Sequence, residues 1–394
     1  MRKLWPVAMG LACLLAIVSQ AMAADQPVRI GASLSLTGKE YSVQGGYCRE
    51  GYLLCQKHEN AQGGVLGRSI ELVIYDDRSE EATAVRNYEK LIAEDKIDAL
   101  LGPYGSAVTE AVADVVEKHR MIMIASTAGS TAIWEKGRRH LIMMLSPVEG
   151  LPEGLIDLAA RNGLKKVAVI KRDGLVANAA AKGASELAKR KGLELVFIEN
   201  YPNGTNDFSG ILNKVKAAAP DVLMAASVRF EDDLVATTRQ MKEVDLNVKM
   251  FSSVPYGVRA DYYKQLGKEA EYVYSGSFWE TTLPYSGNKE FVAAYEKEFN
   301  RTPVVQSAAS YAGCRLFVEA VRRTGSLDSE RLREALLNLR TKTVLGDFAV
   351  DARGFQTAHK AVTIQWQDGK QLIVWPDEVA AAKPRLPTPA WSQR

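Results

Sequence analysis

The sequence predicts an α/β protein with two parallel-sheet lobes joined by three crossover segments. Two observations lead to this prediction. Strand-like apolar runs alternate with helical patterns, once from Val28 to Leu145 and again from about 166 to 278. Three helical patterns then follow without intervening strands. They fit best as additions to a lobe already begun, so the chain crosses between the lobes more than once.

The two alternations define the expected elements. In the first, strands are expected near 28–36, 69–76, 97–102, 121–126 and 140–145, and helices near 45–60, 80–94 and 106–119. In the second, strands near 166–171, 193–199, 221–227, 248–253 and 271–278 are separated by helices near 150–162, 177–191, 207–218 and 230–244. Runs such as 167–170 are continuously apolar, as strands buried on both faces are.

The last third of the chain completes both lobes. Helices are expected near 287–299, 306–324 and 328–339, then a strand near 343–350 and a hairpin near 360–375 that turns at Asp368-Gly369. Crossings are placed near Ser146-Pro147, Gly276-Ser277 and Gly354-Phe355. The first lobe then comprises 24–146 plus 278–354 and the second 147–277 plus 355–380. The proline-containing tail 381–394 is expected to run over the surface.

The first 23 residues have the layout of a secretory signal peptide. A basic start at Arg2 and Lys3 precedes the apolar run 4–18, and Ala21-Met22-Ala23 is a small-x-small cleavage site. The alternative is an uncleaved membrane anchor, but the apolar run falls short of the roughly 20 residues needed to span a bilayer. We therefore expect an exported, cleaved protein.

Composition excludes some classes of partner and leaves the cysteine chemistry open. The net charge of +3 over 394 residues is spread along the chain, so nucleic acid is a poor candidate partner. Cys48 and Cys55 lie on one predicted helix with Cα atoms about 10 Å apart, too far for a bridge. Buried thiols are the default expectation, and a bridge from Cys314 to either cysteine remains open. No CxxC or HxxxH spacing predicts a metal site.

The segment 100–128 is the strongest candidate for a binding site. A strand enters a Gly-Pro turn, a helix begins at Ser106, and a second strand ends near Thr127. Backbone N–H groups and hydroxyls at the carboxyl ends of neighbouring parallel strands capture small ligands. No nucleophile, base, phosphate-binding loop or metal motif accompanies the segment, so we expect binding without catalysis, cofactor or metal. The Asp76-Asp77 pair is interpreted as a strand-end turn that caps the next helix.

Several segments together resemble the branched-chain amino-acid family of periplasmic solute-binding proteins, which have the leucine/isoleucine/valine-binding fold. They are IGASLSLTG, GG from Gly63, ELVIYDDRSE, LLGPYGSAVTEAVA, DFSGILNKVKAAAPDVL and SAASYAGCRLFVEAV. The resemblance extends from Val28 to about Trp375. It implies an α/β fold of two doubly wound parallel-sheet lobes joined by three crossover segments, with a ligand cleft between them. It also implies a periplasmic monomer that traps a solute in this cleft and delivers it to an inner-membrane ABC permease.

The resemblance also implies site residues in the first lobe. Ser106 matches the family's carboxylate-binding serine, and Thr127, Ala128 and Gly129 occupy the second carboxylate-binding position, although the family usually has threonine where Gly129 aligns. The alternative for Ser106 is that it only caps its own helix. Tyr41, Tyr104, Gly105 and Gln306 complete this half of the candidate site.

The second half departs from the family pattern. Val254 aligns with the acidic residue that binds the ligand's α-ammonium group, and Val176 aligns near a cleft tyrosine. A further aromatic position falls near Arg229 and Phe230, and Tyr256 is a candidate wall residue. Because a buried ammonium without a carboxylate is costly, we expect a small carboxylate with an apolar or aromatic body, unless Glu231, Asp232 or Glu280 replaces the missing acid. Arg229 would be a second anion partner. The alternative functions are a ligand-sensing receptor domain of this fold and an exported hydrolase.

Overall fold

The computed structural model describes residues 26–227, 230–255 and 260–394, and the side chains of all these except 230–232 and 260. The predicted signal peptide, 1–23, lies outside the described residues. No helix among the described residues combines the length and the apolar character needed to cross a bilayer.

The first sheet has five parallel strands in the order β2-β1-β3-β4-β5. They are β1 (Val28–Leu34), β2 (Ile70–Asp76), β3 (Ala99–Leu101), β4 (Met123–Ala125) and β5 (Leu141–Met143). Helices α1 (Ser42–Ala61), α2 (Glu81–Ala93) and α3 (Ser106–Lys118) connect the first four strands. A 3₁₀ helix at 131–136, which the sequence did not predict, precedes β5. The first predicted alternation is therefore confirmed.

The second predicted alternation is also confirmed. Its parallel strands are β6 (Lys166–Arg172), β7 (Glu194–Tyr201), β8 (Val222–Ala226), β9 (Met250–Val254) and β10 (Tyr274–Ser277). The helices of this part are α4 (Glu153–Arg161), α5 (Leu175–Arg190), α6 (Ser209–Ala218), α7 (Ala236–Glu243) and α8 (Ala260–Leu266). A π-helical turn over 230–235 leads into α7.

Three successive helices extend the first lobe, as predicted. They are α9 (Asn288–Phe299), α10 (Val305–Thr324) and α11 (Ser329–Asn338). A Cys55–Cys314 disulfide joins α1 to α10, while Cys48 is a buried free thiol. The default expectation of three buried thiols was therefore wrong, because α10 packs along α1 and brings together two cysteines 259 positions apart.

Two predicted β elements near the end of the chain had different outcomes. The strand expected near 343–350 is a small hairpin of β11 (Thr341–Thr343) and β12 (Gly346–Phe348). The hairpin of β13 (Val362–Gln367) and β14 (Lys370–Trp375) is confirmed, and its turn residues Asp368 and Gly369 both have positive φ, 51° and 73°. Because β13 is antiparallel to β10, the second sheet has seven strands in the order β14-β13-β10-β9-β8-β6-β7.

The tail, 381–394, was expected to run over the surface because its sequence has no helical or strand periodicity, yet it packs closely against the second lobe. The Thr388 N–H donates to the Lys249 carbonyl at 2.9 Å, beside β9. Trp391 is buried, and its indole N–H donates to the Leu246 carbonyl at 2.8 Å. The Arg394 guanidinium lies 3.8 Å above the Trp391 ring. One aromatic anchor thus holds a segment without secondary-structure periodicity.

The chain passes between the two sheets after β5, after β10 and before β13, and one histidine joins all three passages. The Ser146 N–H donates to His359 Nδ1 at 2.8 Å, so Nε2 carries the proton and donates to the Phe278 carbonyl at 2.9 Å. Gly354 still pairs with β5 through its carbonyl, and the Phe355 ring packs on Trp134. The third passage therefore follows Phe355 instead of lying at 354–355.

We expect His359→Ala to lower the free energy of unfolding at pH 7 by about 1–3 kcal/mol, because two buried backbone groups lose their partner. Burial lowers the pKa of His359 to about 4. The stabilisation is therefore complete above pH 6.5 and is lost as the pH falls towards 4. Urea denaturation at several pH values measures both effects. The control is His119→Ala, which removes a half-buried surface histidine paired with Glu89; equal losses in the two variants would contradict the prediction.

Candidate functional site

A cavity of about 730 Å³ opens between the two lobes, at the carboxyl ends of their parallel strands. Tyr104 and Ser106 line it from the turn after β3, and Arg172 lines it from the end of β6. Phe278 and Trp279, from the passage after β10, form part of its wall. The volume is in the range of small-molecule sites.

Among the described residues, six helices begin at this cavity. The first or second residues of α1, α2, α3, α5, α8 and α10 line it, among them Val176 of α5 and Gln306 of α10. The first N–H groups of a helix have no partner within the helix, and the helix dipole makes this end positive. The ends of α1, α3, α5 and α10 therefore favour an anionic group, whereas α2 and α8 present the acidic residues Glu81 and Asp261 there.

The Ser106 hydroxyl joins the start of α3 to the loop after β4. Its Oγ accepts hydrogen bonds from the N–H groups of Gly129 and Ser130, both at 3.2 Å. It makes no capping bond to its own helix, so the alternative interpretation as a cap was wrong. Because Ser106 Oγ already accepts two hydrogen bonds, the hydroxyl can still donate its proton, and a carboxylate is a suitable acceptor.

Thr127 is committed to the protein itself. Its hydroxyl donates to the Pro103 carbonyl at 3.1 Å and accepts from the Gly105 N–H at 3.2 Å. A threonine hydroxyl has one proton, so Thr127 has none left for a ligand. It fixes the turn before α3, where Gly105 has φ 80°, a conformation that favours glycine.

Gly129 lines the cavity where the family usually has threonine. A Cβ at this position would lie 2.9 Å from Val148 Cγ2 and 3.3 Å from the Ser146 carbonyl oxygen. The Gly129 carbonyl also accepts from the Val148 N–H at 2.8 Å. The first crossover segment therefore packs too closely on this loop for a side chain.

Two predicted site residues do not reach the cavity. Ala128 is fully buried in the apolar cluster that contains Trp134. Val254, the last residue of β9, is fully buried in the core of the second lobe, and its neighbour Pro255 lines the cavity instead. Both predictions were wrong. Val254 is on a strand, where alternate positions face opposite sides of the sheet, and Ala128 lies in the loop after β4 with its methyl group in the core.

The other predicted residues divide into two groups. Those that line the cavity are Tyr41, Tyr104, Gly105, Ser106, Thr127, Gly129, Val176 and Gln306. The rings of Tyr41 and Tyr104 are in contact, with centroids 5.6 Å apart. Arg229, Tyr256 and the side chains of Phe230, Glu231 and Asp232 lie outside the described residues.

The Asp76-Asp77 pair holds the loop that carries Tyr41. Asp76 Oδ1 accepts from the N–H groups of Leu36 and Thr37, at 3.0 and 3.1 Å, and Asp77 Oδ1 accepts from the Ser35 hydroxyl at 2.6 Å. The sequence had suggested that this pair caps α2, but neither carboxylate does so. The pair instead fixes the β1–α1 loop against the cavity.

Arg172 is a site residue that the sequence interpretation missed. It is buried at the cavity wall, its Nε donates to Asn203 Oδ1, and its Nη1 lies 3.5 Å from Glu40 Oε1 in the first lobe. The available signal was an arginine that ends an apolar strand, in KVAVIKRD. A cation at the carboxyl end of a central parallel strand points to the cleft.

Glu280 also lines the cavity, beside Trp279. Burial raises the pKa of its carboxyl to about 7, although Ser277 opposes this by hydrogen bonding. Glu280 is therefore partly protonated at neutral pH. Its protonated form can donate a hydrogen bond to an acceptor, and its ionised form can accept one from a cation.

The described residues around the cavity include no histidine or cysteine. Within the part of the chain that the structure describes, no three His, Cys, Asp or Glu side chains are grouped to hold a metal ion. The arrangement offers hydrogen-bond donors, the buried Arg172 guanidinium, aromatic walls and five described carboxylates, which are those of Glu40, Glu81, Asp173, Asp261 and Glu280. It is a set suited to holding a small organic ligand through a few polar groups.

The solved structures that this fold resembles include two solute-binding proteins with different ligands. One is the branched-chain amino acid transporter substrate binding protein from Streptococcus pneumoniae in complex with isoleucine (TM-score 0.75, 22% identity, covering 88% of this chain and 98% of that chain). The other is a solute binding protein of an ABC transporter from Rhodopseudomonas palustris in complex with 3,4-dihydroxybenzoic acid (TM-score 0.77, 22% identity, covering 94% and 100%).

Sequence comparison extends along nearly the whole chain. A Leu/Ile/Val-binding protein homolog from Brucella suis is 25% identical over 404 aligned positions, which cover 97% of this chain and 98% of that protein. The periplasmic binding protein family model matches residues 27–371. This match, together with the two-lobed fold and its interlobe cavity, shows that the chain belongs to the periplasmic binding protein family.

Proposed function

We propose that this protein is the periplasmic solute-binding component of an ABC uptake transporter, and that it traps a small carboxylate-bearing ligand between its lobes. The observation that carries the proposal is the interlobe cavity, which is lined by the N-termini of α1, α3, α5 and α10 and by the buried Arg172 guanidinium. A ligand held by both lobes stabilises the closed conformation, which an inner-membrane permease then recognises.

The proposal includes the organisation inferred from the sequence. The signal peptide 1–23 directs export, the mature chain acts as a monomer, and the lobes comprise 24–146 plus 278–354 and 147–277 plus 355–380. Tyr41 and Tyr104 form an aromatic wall in this proposal.

Two ligand classes fit the carboxylate proposal. Relatives are named for leucine, isoleucine and valine, whereas a similar structure holds 3,4-dihydroxybenzoic acid. Aromatic walls and anion-attracting helix termini suit both amino acids and aromatic acids. The two ligand classes differ in that only an amino acid has an ammonium group, which needs a partner in the cavity. Glu280 is one of the five described carboxylates around the cavity that can fill that role.

A thermal-shift screen of the mature protein tests the proposal. Matched probes are leucine and 4-methylpentanoate, which differ by the amino group, together with benzoate, 3,4-dihydroxybenzoate, benzamide and glucose. A ligand at a hundredfold its Kd adds about 2.7 kcal/mol of stability. Shifts with carboxylates support the proposal. A shift confined to glucose or benzamide would refute the carboxylate, and no shift with any probe would count against this ligand class.

We expect Ser106→Ala to weaken binding of the carboxylate found in that screen by roughly tenfold, because a charge-assisted hydrogen bond is lost. Isothermal titration measures the change. Ser130→Ala is a matched control, since it alters the neighbouring loop and leaves the Ser106 hydroxyl in place. Equal affinity in Ser106→Ala and wild type would remove Ser106 from the site.

A further inference from the structure

Among the described residues, two arginines line the cavity. They differ in how closely an acidic side chain pairs with the guanidinium. Arg301 makes a two-point pair with Glu50, at 2.5 and 3.0 Å, and lies over the Tyr47 ring. Arg172 has no such pair. Arg301 is therefore held by the first lobe itself, and Arg172 is the cation available to a ligand.

Arg172 is 8% exposed, yet its Nη1 makes no hydrogen bond. The nearest acid, Glu40, lies at 3.5 Å, longer than a good charge-assisted hydrogen bond, and its side chain is 43% exposed. A desolvated guanidinium is stable only with close, well-oriented acceptors. The Nη1 group of Arg172 can therefore still bind an anion, because Glu40 is too far away to make a close hydrogen bond with it.

The orientation of Arg172 is fixed by the second lobe. Nε donates to Asn203 Oδ1, and Arg172 itself ends the buried strand β6. Glu40 belongs to the loop after β1 in the first lobe, so the Arg172–Glu40 pair spans the cleft. A guanidinium with a fixed plane binds a carboxylate by two parallel hydrogen bonds.

We propose that Arg172 is the second-lobe anchor for the ligand's carboxylate, with Glu40 as a weaker partner that the ligand replaces. The inference rests on the proposed function and deepens it, since it gives the carboxylate that Ser106 contacts from the first lobe a second, charged partner in the opposite lobe. It also makes Arg172 a determinant of specificity, selecting acids over amides and alcohols of the same shape.

The other carboxylates around the cavity do not compete for this role. The remaining acidic residues that line it are Glu81, Asp173, Asp261 and Glu280. Asp173 accepts from the Asn200 side-chain amide at 2.6 Å, and no ion pair within the described part of the chain links any of the four to Arg172. Glu40 is therefore the acidic residue whose substitution tests how Arg172 binds the ligand's carboxylate.

The test compares acid and amide probes on Arg172→Gln, Arg172→Lys and Glu40→Gln. Titration calorimetry with benzoate, 4-methylpentanoate and benzamide separates loss of charge recognition from loss of shape. In Arg172→Gln we expect acid affinity to fall on the order of 30-fold while benzamide affinity stays unchanged. Arg172→Lys should retain part of the acid affinity, because lysine keeps the charge and loses the two-point geometry. Glu40→Gln should bind acids as well as wild type or better.

Each contrary result has a distinct meaning. If Arg172→Gln still prefers the acids over benzamide, Arg172 is not the anchor. If Arg172→Gln and Glu40→Gln weaken acids and benzamide alike, the pair is a structural latch between the lobes and the proposal is wrong. If wild type binds only ligands without a carboxylate, the protein is still a solute-binding protein, but the proposal that Arg172 anchors a carboxylate is wrong. Circular dichroism and melting curves of each variant establish that loss of binding is not loss of fold.

Discussion

Replacing both Cys55 and Cys314 by alanine is expected to lower the free energy of unfolding by about 2–5 kcal/mol. The bridge closes a loop of 259 residues and joins α1, near the start of the chain, to α10. A cross-link over such a distance restricts the unfolded chain strongly, and the folded state loses little when it is removed. Urea denaturation of wild type and the double variant measures the difference.

Cys48 provides the matched control. It lies on the same helix as Cys55, is equally buried and forms no disulfide. Cys48→Ala should cost only about 1 kcal/mol, the effect of a small loss of packing. Reducing agent should destabilise wild type and leave the double variant unchanged. If Cys48→Ala and the double variant unfold at the same urea concentration, the bridge contributes nothing to stability.

Ligand affinity is expected to depend on pH through Glu280, in a direction that identifies the ligand class. Burial raises the pKa of Glu280 to about 7. An acid without an amino group favours the protonated carboxyl, so its affinity should fall roughly tenfold between pH 6 and 8. An amino acid would favour the ionised form through its ammonium group, and its affinity should rise over the same range.

Titration calorimetry from pH 5.5 to 8.5 with 4-methylpentanoate and leucine measures this dependence. Glu280→Gln is the control, because its amide has the same shape and does not titrate; its profile should be flat. His359 does not interfere, since its pKa lies near 4. A sloping profile that persists in Glu280→Gln would exclude Glu280 as the titrating group.

The sequence predicted the architecture well because buried parallel strands and amphipathic helices have strong periodic signals. The apolar run Val167–Ile170 and the Asp368-Gly369 turn are found where they were predicted. Short elements were harder: the β11–β12 hairpin was predicted as one strand, and the tail anchored by Trp391 has no periodicity.

The sequence predicted part of the cavity lining, and the division between the residues that line the cavity and those that do not has a physical reason. Tyr104, Ser106 and Gly129 follow first-lobe strands directly, so their place at the strand ends is readable from the sequence. Val254 was wrong because the side of the sheet that a strand-end residue faces depends on its exact register, and a shift of one residue reverses it.

The sequence by itself determined the two βα alternations and the candidate loop around Ser106, because each depends on neighbouring residues or fixed periods. Only the tertiary structure decided the Cys55–Cys314 pairing, the joining of three passages by His359 and the approach of Arg172 to Glu40. These contacts join residues from distant parts of the chain. Their geometry follows from how helices and lobes pack, which no local pattern encodes.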